Sequence, residues 1–195
     1  NNQGCFQFGK RLGATADGLD EAAHGLIRTS SNQYVVLTSR DYASGARGYG
    51  LHSLNLFGNV CNVYDGSFGN SKFIPSAIAP VNSTAFGTAK WVIAGYGLSN
   101  GEGVGFILLD NNFTPLSNNL QLFNPATSEF GTAYTADVVE VNGAIYAIGE
   151  KINNSTKGWL MKLSPGALPG ALLNIWSRLL DTPDDLNFII QTDRP

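Results

Sequence analysis

The side chains able to do chemistry are few and widely spaced. Only two histidines occur, His24 and His52, and neither has a second ligand at the His-x-x-x-His spacing that sets two imidazoles on one metal ion. No tightly bound transition metal is expected, and both histidines read as strand residues on a sheet face or at a junction between repeats. The glycines Gly103 and Gly105, in GEGVGF, share the composition of a phosphate-binding loop. They lead into an apolar strand-like run, so no helix N-terminus waits there for an anion, and they read as hairpin glycines. The two cysteines, Cys5 and Cys61, form no CxxC pair.

Carboxylates are the next candidates. Asp17, Asp20 and Glu21 precede one strand-like run, and Asp181, Asp184 and Asp185 precede another at the equivalent place. Oxygen-rich loops of this kind can hold Ca²⁺, although the spacing is not that of an EF-hand. Calcium is the only cofactor these residues suggest. No local pair of carboxylates has the arrangement of a glycoside hydrolase; such a pair would have to come from distant segments. Trp91, Trp159 and Trp176 begin or sit inside strand-like runs, and Tyr34 occupies the slot of Trp91. Aromatics at equivalent positions fill the space between repeats or, if exposed, stack on sugars. Asn82, Asn112, Asn153 and Asn154 each open an Asn-x-Ser/Thr sequon, usable for glycosylation only in a secreted chain.

The elements that must position these residues come from an internal repeat. YVVLTSR at 34–40 aligns with WVIAGYG at 91–97 and IYAIGEK at 145–151, with starts 57 and 54 residues apart. The runs that follow, YGLHSLN at 49–55, VGFILLD at 104–110 and GWLMKLS at 158–164, align in the same way. A run precedes each pair (22–29, 76–82, 134–142) and a fourth run ends each unit (60–66, 120–126, 174–181). These segments are short, rich in Val, Ile, Tyr, Phe and Trp, and bounded by Gly, Asn, Ser and Asp, which is the strand signature. The one helix-compatible stretch, residues 165–176, carries two Pro and two Gly that break it. Four strands in about 55 residues is one blade of a β-propeller. The predicted fold is all-β, with four-stranded antiparallel blades at 21–66, 74–126 and 132–181 and partial blades at 1–13 and 184–195. In that register Cys5 and Cys61 start fourth strands of neighbouring blades, too far apart for a disulfide.

The order FGKRLGATADGLDEAAHGLIRTSSNQYVVLTSR, and WSRLLDTPDDLNFIIQTD at 176–193, resembles the blades of bacterial secreted and cell-surface β-propeller repeat proteins. Those blades read W-S-x-x-x-G, an acidic residue, then I-x-x-T-x-D-G-G-Y-V-V-x-G. The chain departs from them at SSNQ, 30–33, and at NSTAFGTAK, 82–90. The resemblance implies a propeller in an extracellular or cell-surface setting.

Composition narrows the function. Charged residues are 14 % of the 195, net charge is −3, and Lys and Arg are scattered, so the basic stripe of a nucleic-acid binder is missing. No apolar run has the length of a membrane-spanning helix. The chain opens on NNQGCFQFGK, without Met or an apolar leader. Three whole units with partial ends do not close a ring, since propellers typically have four to eight blades. The expectation is a longer polypeptide or further copies of the chain. The leading function is a non-enzymatic extracellular or surface protein that binds or assembles with a protein or glycan partner. The alternatives are a glycan-processing enzyme, or a structural subunit of a filament, fibre or virion.

Overall fold

A computed structural model describes residues 21–29, 33–42, 44–67, 72–97, 103–118, 120–123, 132–153 and 155–180. The first blade comprises β1 (Glu21–Arg28), β2 (Tyr34–Asp41), β3 (Arg47–Leu54) and β4 (Val60–Gly66). The second comprises β5 (Phe73–Pro80), β6 (Trp91–Gly97), β7 (Gly103–Leu109) and β8 (Gln121–Phe123). The third comprises β9 (Thr132–Val141), β10 (Ala144–Asn153), β11 (Ser155–Pro165) and β12 (Leu172–Leu180). Each sheet is antiparallel with its strands in chain order. The fold is therefore all-β, three four-stranded blades of a propeller-like repeat. Its only helical feature among the described residues is a 3-10 turn, Thr84–Phe86. No described helix is long and apolar enough to cross a membrane. The partial blades expected at 1–13 and 184–195 lie outside the described residues, as does Cys5.

Turn chemistry explains why these strands fold back where they do. Asn142 and Gly143 join β9 to β10, both at positive φ (51° and 78°), the backbone that a two-residue hairpin on twisted strands requires. The turn after β3 is built on Asn55, whose Oδ1 accepts from the Phe57 and Asn59 N–H groups at 2.9 and 3.0 Å. One repeat later Asp110 does the same for Asn112 and Thr114 at 2.8 and 2.9 Å. Gly58 takes the left-handed position of the first turn, and Phe113 takes it in the second.

The second blade presents one face to the first blade and the other to the third. Val35, Leu37, Tyr49 and Leu51 of the first blade meet Phe73, Ile78, Ile93, Ile107 and Leu109 of the second. The opposite face of the second blade, with Val92, Ala94, Val104 and Phe106, meets Val138, Ile145, Trp159 and Met161 of the third. The middle blade is covered on both sides, so every residue of β7 is buried and the run is continuously apolar rather than alternating. Gly103 and Gly105 belong to this strand and not to a hairpin, which corrects the sequence reading. A Cβ on Gly105 would come within 2.8 Å of the Phe73 ring, so the glycine makes room for the core. The first strands β1, β5 and β9 lie beside one another, so they line the axis from which the blades fan out.

Each blade also carries a bulge, a one-residue mismatch in its first hairpin. The ladder skips His24 in β1, Ser76 in β5 and Ala136 in β9. Such an extra residue bends the strand and re-aims a side chain. It also admits Pro75 into β5, because a bulge frees a backbone position from the ladder. The strand thus begins at Phe73, three residues before the expected Ser76.

Candidate functional site

The first blade gathers polar side chains on both faces. On the face toward the second blade, His24 Nε2 lies 2.9 Å from Ser39 Oγ. Two residues along β2, Asp41 is gripped by Arg47, with Nη2 to Oδ2 at 3.0 Å and Nε on Oδ1. The hydrogen bond from Arg47 holds the Asp41 carboxyl below its ordinary range, aided by the positive field of Arg47 and Lys72. Burial, then the charge of Arg47, depresses His24 below the ordinary histidine value. Its imidazole is accordingly neutral at pH 7, and in the tautomer that carries its proton on Nδ1, Nε2 accepts from the Ser39 hydroxyl. From the next blades Tyr96 meets Tyr134 edge-on, centroids 4.7 Å apart.

The other face of the same blade carries a second group drawn from all four strands. Arg40 bridges Glu21 at 3.4 Å and Asp65 at 2.6 Å, as the register Glu21↔Arg40 dictates. Thr38 Oγ1 lies 3.4 Å from both Gly50 O and His52 Nε2. His52 Nε2 stands 3.7 Å from Glu21 Oε2, and both side chains are more than nine-tenths buried (6 % and 9 % exposed). No hydrogen-bond donor among the described residues satisfies that oxygen. Burial lowers the His52 pKa, with Glu21 opposing the shift. Tyr42 nearby is pushed up to about 12 by burial and by Asp65, so its hydroxyl stays protonated.

The third blade differs in kind. On the face turned away from the second blade, the Lys162 ammonium sits 5.6 Å from the Tyr146 ring centroid and the Arg178 guanidinium 5.4 Å from that of Trp176. The two rings meet edge-on at 6.4 Å, because the registers Tyr146↔Lys162 and Lys162↔Trp176 line them up across three strands. Cations over ring faces are drawn by the ring quadrupole.

The remaining candidates from the sequence separate cleanly. Glu21 belongs to the buried group with Arg40 and His52 and not to a loop; Asp17, Asp20, Asp181, Asp184 and Asp185 lie outside the described residues. Among the described residues no three His, Cys, Asp or Glu side chains converge as metal ligands. Trp159 is fully buried and donates its indole N–H to Tyr134 O and Glu150 O, both at 3.1 Å. Trp91 stacks on Phe113 at 5.5 Å, and Trp176 is the half-buried member of the cationic face. Asn82 and Asn112 are exposed; Asn153 ends β10, and Asn154 is not among the described residues. Cys61 is a free, exposed thiol.

Two features escaped the sequence reading. The pairs His24–Ser39 and His52–Thr38 join neighbouring strands, and only the hairpin register reveals them. Gly97-Leu98-Ser99-Asn100-Gly101 also has the G-x-S-x-G form of a nucleophile elbow. It joins two antiparallel strands, β6 and β7, whereas an elbow turns from a strand into a helix. Residues 98–102 lie outside the described part.

No family model matches the chain, and no curated protein matches it. Among solved structures it is similar to a Synechocystis apocarotenoid oxygenase carrying a Glu-to-Asp substitution, at 11 % identity and a TM-score of 0.48. The match covers 82 % of this chain and 40 % of that one, so this chain spans about two fifths of the oxygenase's length.

Proposed function

We propose that this chain is a binding and assembly module of an extracellular or cell-surface propeller protein, acting through the outer face of its third blade on an anionic partner. The carrying observation is the Tyr146–Trp176 pair with Lys162 and Arg178 set over its rings. Tyr, Trp and Arg dominate the energetics of binding surfaces because each combines a large apolar area with a polar end. Both cations carry charge that a carboxylate-bearing protein or glycan would meet. The polar groups of the first blade are largely engaged with one another, which favours the third blade as the recognition surface.

The test is a protein and glycan array, neutral and acidic members together, read for both binding and released sugar. Acidic members are expected to bind without turnover, and Trp176→Ala with Arg178→Ala should weaken binding about thirtyfold or more, the scale of a hot-spot truncation. Released sugar would favour the glycan-processing alternative. Light scattering that showed the chain building filaments or particles unaided would favour the structural-subunit alternative.

A further inference from the structure

We infer that Ser39 is an activated nucleophile with His24 as its general base, in a site on the axis side of the first blade that accepts a small ester or similar acyl electrophile. The inference is independent of the third-blade surface and adds an activity to the binding role.

Geometry carries it. A serine hydroxyl is a weak nucleophile until a base stands within hydrogen-bond reach, and Ser39 Oγ has an imidazole nitrogen at 2.9 Å. Ser39 is held rigidly: it is buried in β2 between Ala22 of β1 and Tyr49 of β3. The contact is part-buried, with Ser39 inside the sheet and His24 exposed, so a reactant would have to reach Ser39 from the His24 side. The bulge in β1 places His24 diagonally across from Ser39 rather than in the ladder.

The repeat supplies a control inside the molecule. The residues equivalent to His24 are Ser76 and Ala136, and those equivalent to Ser39 are Tyr96 and Glu150. Ser76 simply donates to Ala94 O at 3.3 Å, and Ala136 has no polar group to place. The bulge therefore stands in the second and third blades without a hydroxyl–imidazole pair. What the pair adds in the first blade is chemistry and not architecture. Arg47 of β3, whose charge helps keep the imidazole neutral, is fixed by Asp41 on the same face as Ser39, where negative charge would develop on an attacked carbonyl.

In the reaction, Ser39 Oγ bonds to the carbonyl carbon while its proton passes to His24 Nε2. Collapse of the tetrahedral adduct breaks the bond to the leaving alkoxide, which takes the proton from His24 and departs as alcohol. Water, deprotonated by the same nitrogen, then attacks the acyl-serine; acid is released and the Ser39 hydroxyl restored.

A fluorophosphonate probe on the full chain tests this. Attack by Ser39 forms an O–P bond, expels fluoride and sends the proton to His24. Peptide mapping should find the adduct on Ser39, Ser39→Ala should abolish it, and His24→Gln should slow labelling by about 10²-fold or more. In the unsubstituted protein, which needs no variant to fold, the labelling rate should rise with pH along one titration centred below the ordinary histidine value and then level off. Absence of an adduct at Ser39 would overturn the inference. So would an unchanged rate in His24→Gln, or a rate still climbing at pH 9 as for an unassisted serine.

Discussion

Where the second blade places Phe73, Gly95, Gly97, Gly105, Ile107 and Leu122 on one face, the first blade places Glu21, Thr38, Arg40, Gly50, His52 and Asp65. The backbone is shared; the chemistry is opposite. In the second blade one ring covers two glycines, and a Cβ on either Gly95 or Gly105 would fall 2.8 Å from Phe73. In the first blade an ion pair, a hydroxyl and an imidazole fill the same positions, and one buried carboxylate oxygen lacks a donor among the described residues. Apolar burial stabilises by roughly 25 cal/mol per Å² whatever the pH. A buried ionic group is stable only while each partner keeps its charge state. The repeat thus fixes a backbone able to hold either a dry face or a titratable one, and the first blade carries the second kind.

The sharpest way to break the dry side is Phe73→Ala. It would leave a hole over Gly95 and Gly105 that backbone cannot fill, with an expected loss of about 3–5 kcal/mol in denaturant unfolding. A loss under about 1 kcal/mol would mean that the ring is not the keystone of that face. Next in size is Arg40→Ala, which strands Glu21 and Asp65 without their shared counter-charge and should cost about 2 kcal/mol. The loss is read from denaturant unfolding at pH 7.

The smallest expected effect concerns His52. It takes up a proton less readily in the folded chain than in the unfolded one, because burial outweighs the pull of Glu21. The unfolded chain therefore binds more protons below the ordinary histidine value of 6.5, and stability falls as pH drops through that value until the folded imidazole is itself charged. His52→Gln should flatten this acid step in a series of melting temperatures. A step of the same size in the variant would assign it elsewhere.

The repeat and the strand order were legible in the sequence, because each rests on local residue types that recur at one period. The chemistry of the faces was not. A bulge adds one residue without changing composition, so nothing in AAHGLIRT announces that His24 meets Ser39 rather than the ladder. Glu21 read as the last of an acidic loop because its partner Arg40 lies across a hairpin. The Lys162–Tyr146 and Arg178–Trp176 contacts likewise follow from cross-strand register, which turn lengths set and periodicity alone does not.

Hydrogen exchange followed blade by blade between pH 7 and pH 5 tests the central contrast most directly. Protection in β2 and β3 is expected to fall on acidification while β6 and β7, buried on both faces among apolar side chains, keep theirs. Equal loss of protection in both blades, or a loss confined to β6 and β7, would contradict it.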